Sequence, residues 1–144
     1  MSQESKLFER LVSDLLCQKF KEIFFQGQPL LIGFPPKKHR FDLVNKTKSV
    51  VVECKNIAFT KSGNVPSAKI STLNEAAYFL SFLPNTTTKI IAIKRSERGK
   101  RETLAEYYYR TNRHLLNGID IYEIDKENKR IFIINELTQR RIHL

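Results

Sequence analysis

The stretch that decides the fold runs His39-Arg-Phe-Asp-Leu-Val44, then the polar Asn45-Lys-Thr-Lys48, then Ser49-Val-Val-Val-Glu-Cys-Lys-Asn56. Both flanks have the two-residue rhythm of strands, and the polar segment is short enough to be a hairpin turn. Side chains alternate along a strand. Val51, Glu53 and Lys55 therefore point one way, and Val50, Val52 and Cys54 the other. In the first flank Arg40, Asp42 and Val44 share a face, with Phe41 and Leu43 opposite. A hairpin closed by the polar turn sets Val44 against Ser49 and Asp42 against Val51. Glu53 is then diagonal to Asp42 on the same face, at ~7–8 Å between backbones. Two carboxylates at that separation can converge on one cation, with Lys55 one pleat further along.

Strand stability alone does not account for this pattern. Asp and Glu are poor strand residues, and three charges beside three consecutive valines need pairing or exposure. A hard divalent cation explains them, because oxygen ligands hold Mg²⁺ while waters complete its octahedron. The backbone carbonyl of Cys54 is a candidate third ligand.

Outward from this core, apolar residues at Leu7, Phe8, Leu11, Val12, Leu15, Leu16 and Phe20 predict a helix over Ser5 to Phe25, closed by Gly27 and Pro29. Pro29 to Gly33 is a short strand. After the loop at Ile57–Pro66, Ile70, Leu73, Ala76, Ala77, Leu80 and Leu83 line a second helix, with Thr72 and Glu75 as its capping box and Pro84 as its end. Thr88–Ile93 is an apolar strand. A third helix covers Thr103–Leu116, and strands follow at Gly118–Ile124 and Arg130–Asn135. The order α-β-β-β-α-β-α-β-β, with a strand–helix–strand crossover, predicts an α/β fold: a mixed central β-sheet flanked by helices.

The chain has 144 residues and reads as one domain, 1–144, large enough for a real core. With 41% hydrophobic and 28% charged residues, disorder and collagen-like structure are excluded. Lys and Arg number 25 against 15 Asp and Glu, a net charge of +10 that points to a polyanionic partner. Cys17 and Cys54 are too few for a disulfide scaffold, both lie in apolar runs, and no Cys/His spacing suggests zinc. No apolar run approaches ~18 residues, and the first ten residues lack a signal-peptide block, so the expectation is a cytoplasmic protein without a membrane partner.

Arg40-Phe-Asp-Leu-Val44 followed by Val50-Val-Val-Glu-Cys-Lys55 resembles the PD-(D/E)XK nuclease superfamily, the restriction-endonuclease-like fold. The resemblance covers Ser5 to about Ile93, an αβββαβ core to which an α-β-β extension is added. It departs where Phe41 stands in place of a proline before Asp42. It implies a Mg²⁺-dependent DNA endonuclease, with Mn²⁺ as a substitute ion. Asp42 and Glu53 would hold the metal, which polarises the phosphate and acidifies a water; Lys55 would orient or deprotonate that water and stabilise developing charge. Many members add a helix-1 glutamate. Glu9 fits by its place at the edge of the apolar stripe, and Glu4 is the alternate. Archaeal Holliday-junction resolvases resemble the chain in size, charge and Phe8-Glu9-Arg10, but the C-terminal helix and hairpin depart from them.

Five of the eight residues from Lys94 to Arg101 are basic, and Lys94, Arg95, Arg98, Lys100 and Arg101 are candidates for phosphate contact, as are Lys37, Lys38 and Arg40. His39 is out of phase with Asp42, so it reads as a structural or surface residue. Tyr107, Tyr108 and Tyr109 cannot share one helical face, so at least one belongs to the core. One small site cuts one strand, so paired cuts imply a homodimer. A non-catalytic nucleic-acid-binding module on the same fold is the alternative, and a protein-interaction domain is the third reading. Loss of DNA binding with rising salt separates the third from the first two.

Overall fold

The computed structural model describes residues 2–137. The elements follow in the order α1 (Gln3–Phe20), β1 (Phe24–Ile32), β2 (Lys37–Asn45), β3 (Val50–Lys55), α2 (Ser67–Ser81), β4 (Thr88–Lys94), α3 (Leu104–Asn112), β5 (Ile119–Asp125) and β6 (Arg130–Ile133). The fold is α/β, with one six-stranded mixed sheet in which spatial order equals chain order. β1, β2 and β3 are antiparallel neighbours, β3, β4 and β5 run parallel, and β6 returns antiparallel to β5. Among the described residues, no helix is long and apolar enough to cross a membrane.

Alternation along β3 and β4 builds two cores. Val50, Val52, Ile90 and Ala92 face α1, where Phe8, Val12, Leu15 and Leu16 cover them. Val51, Ile91 and Ile93 face Leu73, Ala77 and Leu80 of α2 and Leu104 and Tyr108 of α3. Each such aliphatic or aromatic side chain removed from water contributes about 1.5–3 kcal/mol. The crossover helices α2 and α3 share a face because successive crossovers advance across the sheet in one direction. Of the three tyrosines Tyr108 is fully buried, and its hydroxyl donates to Asn74 Oδ1 at 2.8 Å.

Several local expectations are corrected. Helix α1 stops at Phe20, where Lys21 takes a left-handed conformation with φ 56. Phe24 and Phe25 instead enter β1, opposite Asn45 and Val44, because the aromatic pair gains a strand partner and Phe24 a core site. Helix α2 begins at Ser67, which leaves Thr72 and Glu75 in mid-helix with no capping role. The capping box belongs to α3, where Thr103 Oγ1 accepts from the Glu106 amide and Glu106 Oε1 accepts from the Thr103 amide.

The β2–β3 register is also different. Val44 pairs with Val51 and Leu43 with Val52, so the turn is longer than the four polar residues and Glu53 falls opposite Asp42, not diagonal to it. Asn45 sets that length. It is buried, its Oδ1 accepts from the Val50 amide at 2.8 Å, and its Nδ2 donates to Glu22, Thr47 and Ser49. The side chain thus replaces backbone ladder bonds across the turn.

Alternation in β1 and β2 reverses at one level. Phe24 packs toward α1, yet Leu30 and Ile32, at the same parity, pack toward α2. Across from them Leu43 faces α1 while both Phe41 and Val44 face α2, so Phe41 and Leu43 do not share a side. The reversal falls where the β1–β2 pairing skips Gly27 and Asp42. Gly27 has φ +61, a conformation open to glycine at little cost, and that is what lets the strand pair change phase.

Candidate active site

The phase reversal and the short β2–β3 ladder act together. After Leu43 and Val52 the ladder has no further pairs: β2 continues with β1 to Lys37, while β3 continues with β4 to Lys55. A fork opens between the two strands at the level of Asp42 and Glu53. Asp42 reaches across it, and its Oδ2 accepts from the Cys54 amide at 2.7 Å. That bond replaces the ladder partner that the amide loses at the fork, and it anchors the carboxylate.

Three carboxyl groups meet here from three elements. Glu9 on α1 is 8% exposed and Glu53 on β3 is 7% exposed, and each shares a hydrogen bond with Asp42. Burial, then the hydrogen bond and charge of Asp42, push Glu53 up to about 9; the Lys55 ammonium opposes this. Burial, then the Asp42 charge, push Glu9 up to about 7, with Lys6 opposing. Without a cation, burial and the Asp42 charge bias Glu53 and Glu9 toward their protonated forms. Glu4 is exposed and takes no part. Among the described residues, no three His, Cys, Asp or Glu side chains have the spacing of a ready-made metal site. The donors do form a compact set of hard oxygens in like-charge conflict, which is the chemistry that Mg²⁺ relieves.

Two clefts border the row. On the α1 side, a cleft of about 520 Å³ is lined by Lys6, Glu9, Arg10, Gly27, Arg40 and Asp42. On the α2 side, a smaller one of about 150 Å³ is lined by His39, Arg40, Glu53, Lys55, Glu75 and Phe79. Arg40 lines both. A third cleft, about 660 Å³, lies by the β5–β6 turn among acids and bases in mixture, and none of Glu9, Asp42, Glu53 or Lys55 lines it.

The protein matches no family model, no curated protein and no solved structure.

Three residues enter the site that sequence reasoning left out. Lys6 lies one turn before Glu9, so its presence follows once Glu9 is placed, and Arg10, the next residue along, lines the same cleft. His39 stacks on Phe79 with ring centroids 3.9 Å apart, and its Nε2 lies 3.6 Å from Glu53 Oε1. Burial lowers the His39 pKa while Glu53 is raised, so at neutral pH this is a contact between uncharged groups. His39 shares the α2 side with Phe41 and Glu53 because the strand phase reverses between it and Leu43.

The basic residues divide. Lys37, Lys38, Arg40, Lys100 and Arg101 are exposed, and Lys94 is half-buried beside the mixed cleft. Arg95 is committed internally: it bonds Glu123 at 2.8 Å and Glu97 at 2.9 Å and covers the Phe132 ring. Arg98 lies between the Phe59 and Tyr107 rings and donates to the Gly63 carbonyl. Those two tie the fold's loops together, and Arg95 also lines the cleft by the β5–β6 turn. The contact observed for Cys54 is through its amide, and burial raises its thiol pKa well above the usual range, which leaves no thiolate nucleophile.

Proposed function

We propose that this chain is a metal-dependent endonuclease that hydrolyses phosphodiester bonds in DNA, with a restriction-endonuclease-like arrangement of its core. The observation that supports it is the meeting of Glu9, Asp42 and Glu53 at the strand fork, with Lys55 lining the same cleft as Glu53. Asp42 and Glu53 would hold Mg²⁺ or Mn²⁺, and Glu9 stands close enough to Asp42 to share in it. The bound ion supplies Lewis-acid compensation of phosphate charge and makes water a better nucleophile at neutral pH. The protein's own groups do the rest. Lys55 donates from Nζ to the attacking oxygen or to a phosphate oxygen, which stabilises negative charge as attack proceeds. Lys6, Arg10 and Arg40, on the cleft that reaches Asp42, hold the phosphates of the cleaved strand. The net charge of +10 draws the polyanion to this surface. A cytoplasmic location and a homodimer that places two sites on two strands belong to the same reading.

The test incubates the protein with supercoiled plasmid, branched junctions and linear duplex, in Mg²⁺ or in EDTA. Cutting in Mg²⁺ alone, lost in Asp42→Asn, Glu53→Gln and Lys55→Ala variants that still fold, is the expected result. Wild-type rates in Lys55→Ala would overturn the mechanism. Salt-sensitive DNA binding without cutting in either Mg²⁺ or Mn²⁺ would identify a binding module instead.

A further inference from the structure

The β1–β2 hairpin extends beyond the fork and ends at Gly33-Phe34-Pro35-Pro36, where Phe34 is 99% exposed. A fully exposed aromatic ring at a hairpin tip has no folding role, and leaving it in water forgoes most of the burial a Phe contributes elsewhere in this fold. The arm that carries it is free of acids and basic along β2: no acidic residue occurs between Glu22 and Asp42, while Lys37, Lys38 and Arg40 are all exposed. Leu31, 64% exposed, sits opposite Lys38 and adds apolar surface next to the tip. A second copy's arm is a poor occupant of the tip, because it would set Lys37, Lys38 and Arg40 against the same basic residues. An unpaired nucleic-acid base with phosphates on either side satisfies both the ring and the charges, since aromatic side chains stack on exposed bases while basic residues track the backbone.

We propose that the β1–β2 hairpin tip recognises an unpaired or unstacked base in the DNA substrate, with Phe34 stacked on it and Lys37 and Lys38 on the neighbouring phosphates. This rests on the reading of the fork as a nuclease centre, and it narrows the substrate to DNA with a local defect near the cut. Geometry gives the distance. From Asp42 to Lys37 is five residues of antiparallel strand, about 17 Å at ~3.4 Å per residue. With the arm laid along the duplex axis at ~3.4 Å per base pair, and the turn added, the defect lies about five to seven base pairs from the cleaved bond.

The experiment uses the full chain carrying Asp42→Asn and a set of duplexes with one 2-aminopurine opposite a gapless unpaired position, moved stepwise from the cut mapped with wild-type protein. The expected result is a fluorescence change confined to the window of about five to seven base pairs. Phe34→Ala should abolish that change and reduce the preference for the unpaired-base duplex over the fully paired one about tenfold, with Phe34→Trp restoring both. The residue is exposed, so an unchanged melting temperature checks that the variant folds. Equal preference and equal fluorescence in Phe34→Ala would overturn the inference while leaving wild-type cutting, and hence the nuclease reading, intact. Conversion of a dimer to a monomer by Phe34→Ala, with unchanged fluorescence, would also overturn it and assign the tip to an interface between copies. Absence of any DNA cutting or binding by the wild type would remove the nuclease reading and this one with it.

Discussion

Replacing Glu53 by glutamine should stabilise the metal-free protein while abolishing the proposed cutting of DNA. In the fold, burial and the adjoining Asp42 push Glu53 from 4.5 up to about 9. In the unfolded chain it ionises near 4.5. Between those values the folded protein holds one more proton than the unfolded one, so stability falls as pH rises. The slope is about 1.4 kcal/mol per pH unit for one proton. Stability is fully present below about pH 4.5 and continues to decline until about pH 9. At pH 7 the accumulated loss is roughly 3 kcal/mol. Glutamine does not titrate, and its amide can still donate to Asp42. In EDTA, Glu53→Gln should therefore be roughly 3 kcal/mol more stable than wild type at pH 7, a rise in melting temperature on the order of 10 °C for a chain of this size. The gap should close toward pH 4.5 and widen toward pH 9. Glu9, raised to about 7, leaves a smaller residual slope in the variant. Urea titrations at pH 5, 7 and 8.5 in EDTA measure this, and adding Mg²⁺ should stabilise wild type more than the variant. A difference that does not change with pH, or a variant less stable at every pH, would refute the account of Glu53 as a group held against its own charge.

Asn45→Ala should cost about 2–3 kcal/mol in urea denaturation, because the buried Val50 amide loses its acceptor at 2.8 Å and the turn loses its organiser. Arg95→Ala should lower stability by about 1–3 kcal/mol, since Glu123, 2% exposed, loses its partner, and it should leave the salt dependence of DNA binding unmoved. Arg101→Ala, at an exposed position, should do the reverse, reducing the slope of log affinity against log salt by about 1. Lys6→Ala with Arg10→Ala should reduce that slope by about 2, measured by fluorescence anisotropy, with near-uniform loss across DNA sequences.

The sheet and its helices were legible because their signals are local. Alternation across Val50–Lys55 and the apolar run at Thr88–Ile93 assign side chains to faces with no tertiary knowledge, and those assignments hold. The errors fall where a distant partner decides. The apolar spacing of α1 runs on into Phe24 and Phe25, which pair with Val44 and Asn45 on the far side of the hairpin. Gly27 reads as a helix terminator in isolation, yet its φ of +61 serves a strand pair. The turn length depends on what the Asn45 side chain bonds. The internal partners of Arg95 and Arg98, which are Glu123, Phe59 and Tyr107, are invisible in the basic run and are brought to them by the fold. In the site, Asp42, Glu53 and Lys55 carry their own pattern and Glu9 needed only helical phase. Lys6 followed from Glu9 by spacing, whereas Arg10, at the next position, did not, and His39 was hidden by the change of phase.

The change of phase and the site have one cause. A β2 strand in unbroken alternation would send Asp42 to the side of the sheet opposite Phe41, into reach of either α1 or α2 but not both. The reversal at Gly27 and Asp42 leaves the carboxylate directed across the fork, anchored on the Cys54 amide, where Glu9 and Glu53 both reach it. A chain that needed only a closed fork could place glutamine at 53 and keep the hydrogen bond without the charge. A chain that needed only packing could continue the run of valines. Keeping an ionisable acid there costs stability that the two cores must offset, and the cost disappears only when positive charge arrives. Lys55 supplies part of it, but two neighbouring ammonium groups face three carboxyls that bury one another. The remaining deficit is what a dication would settle, which makes the instability of the metal-free site and its proposed catalytic use two measurements of the same arrangement.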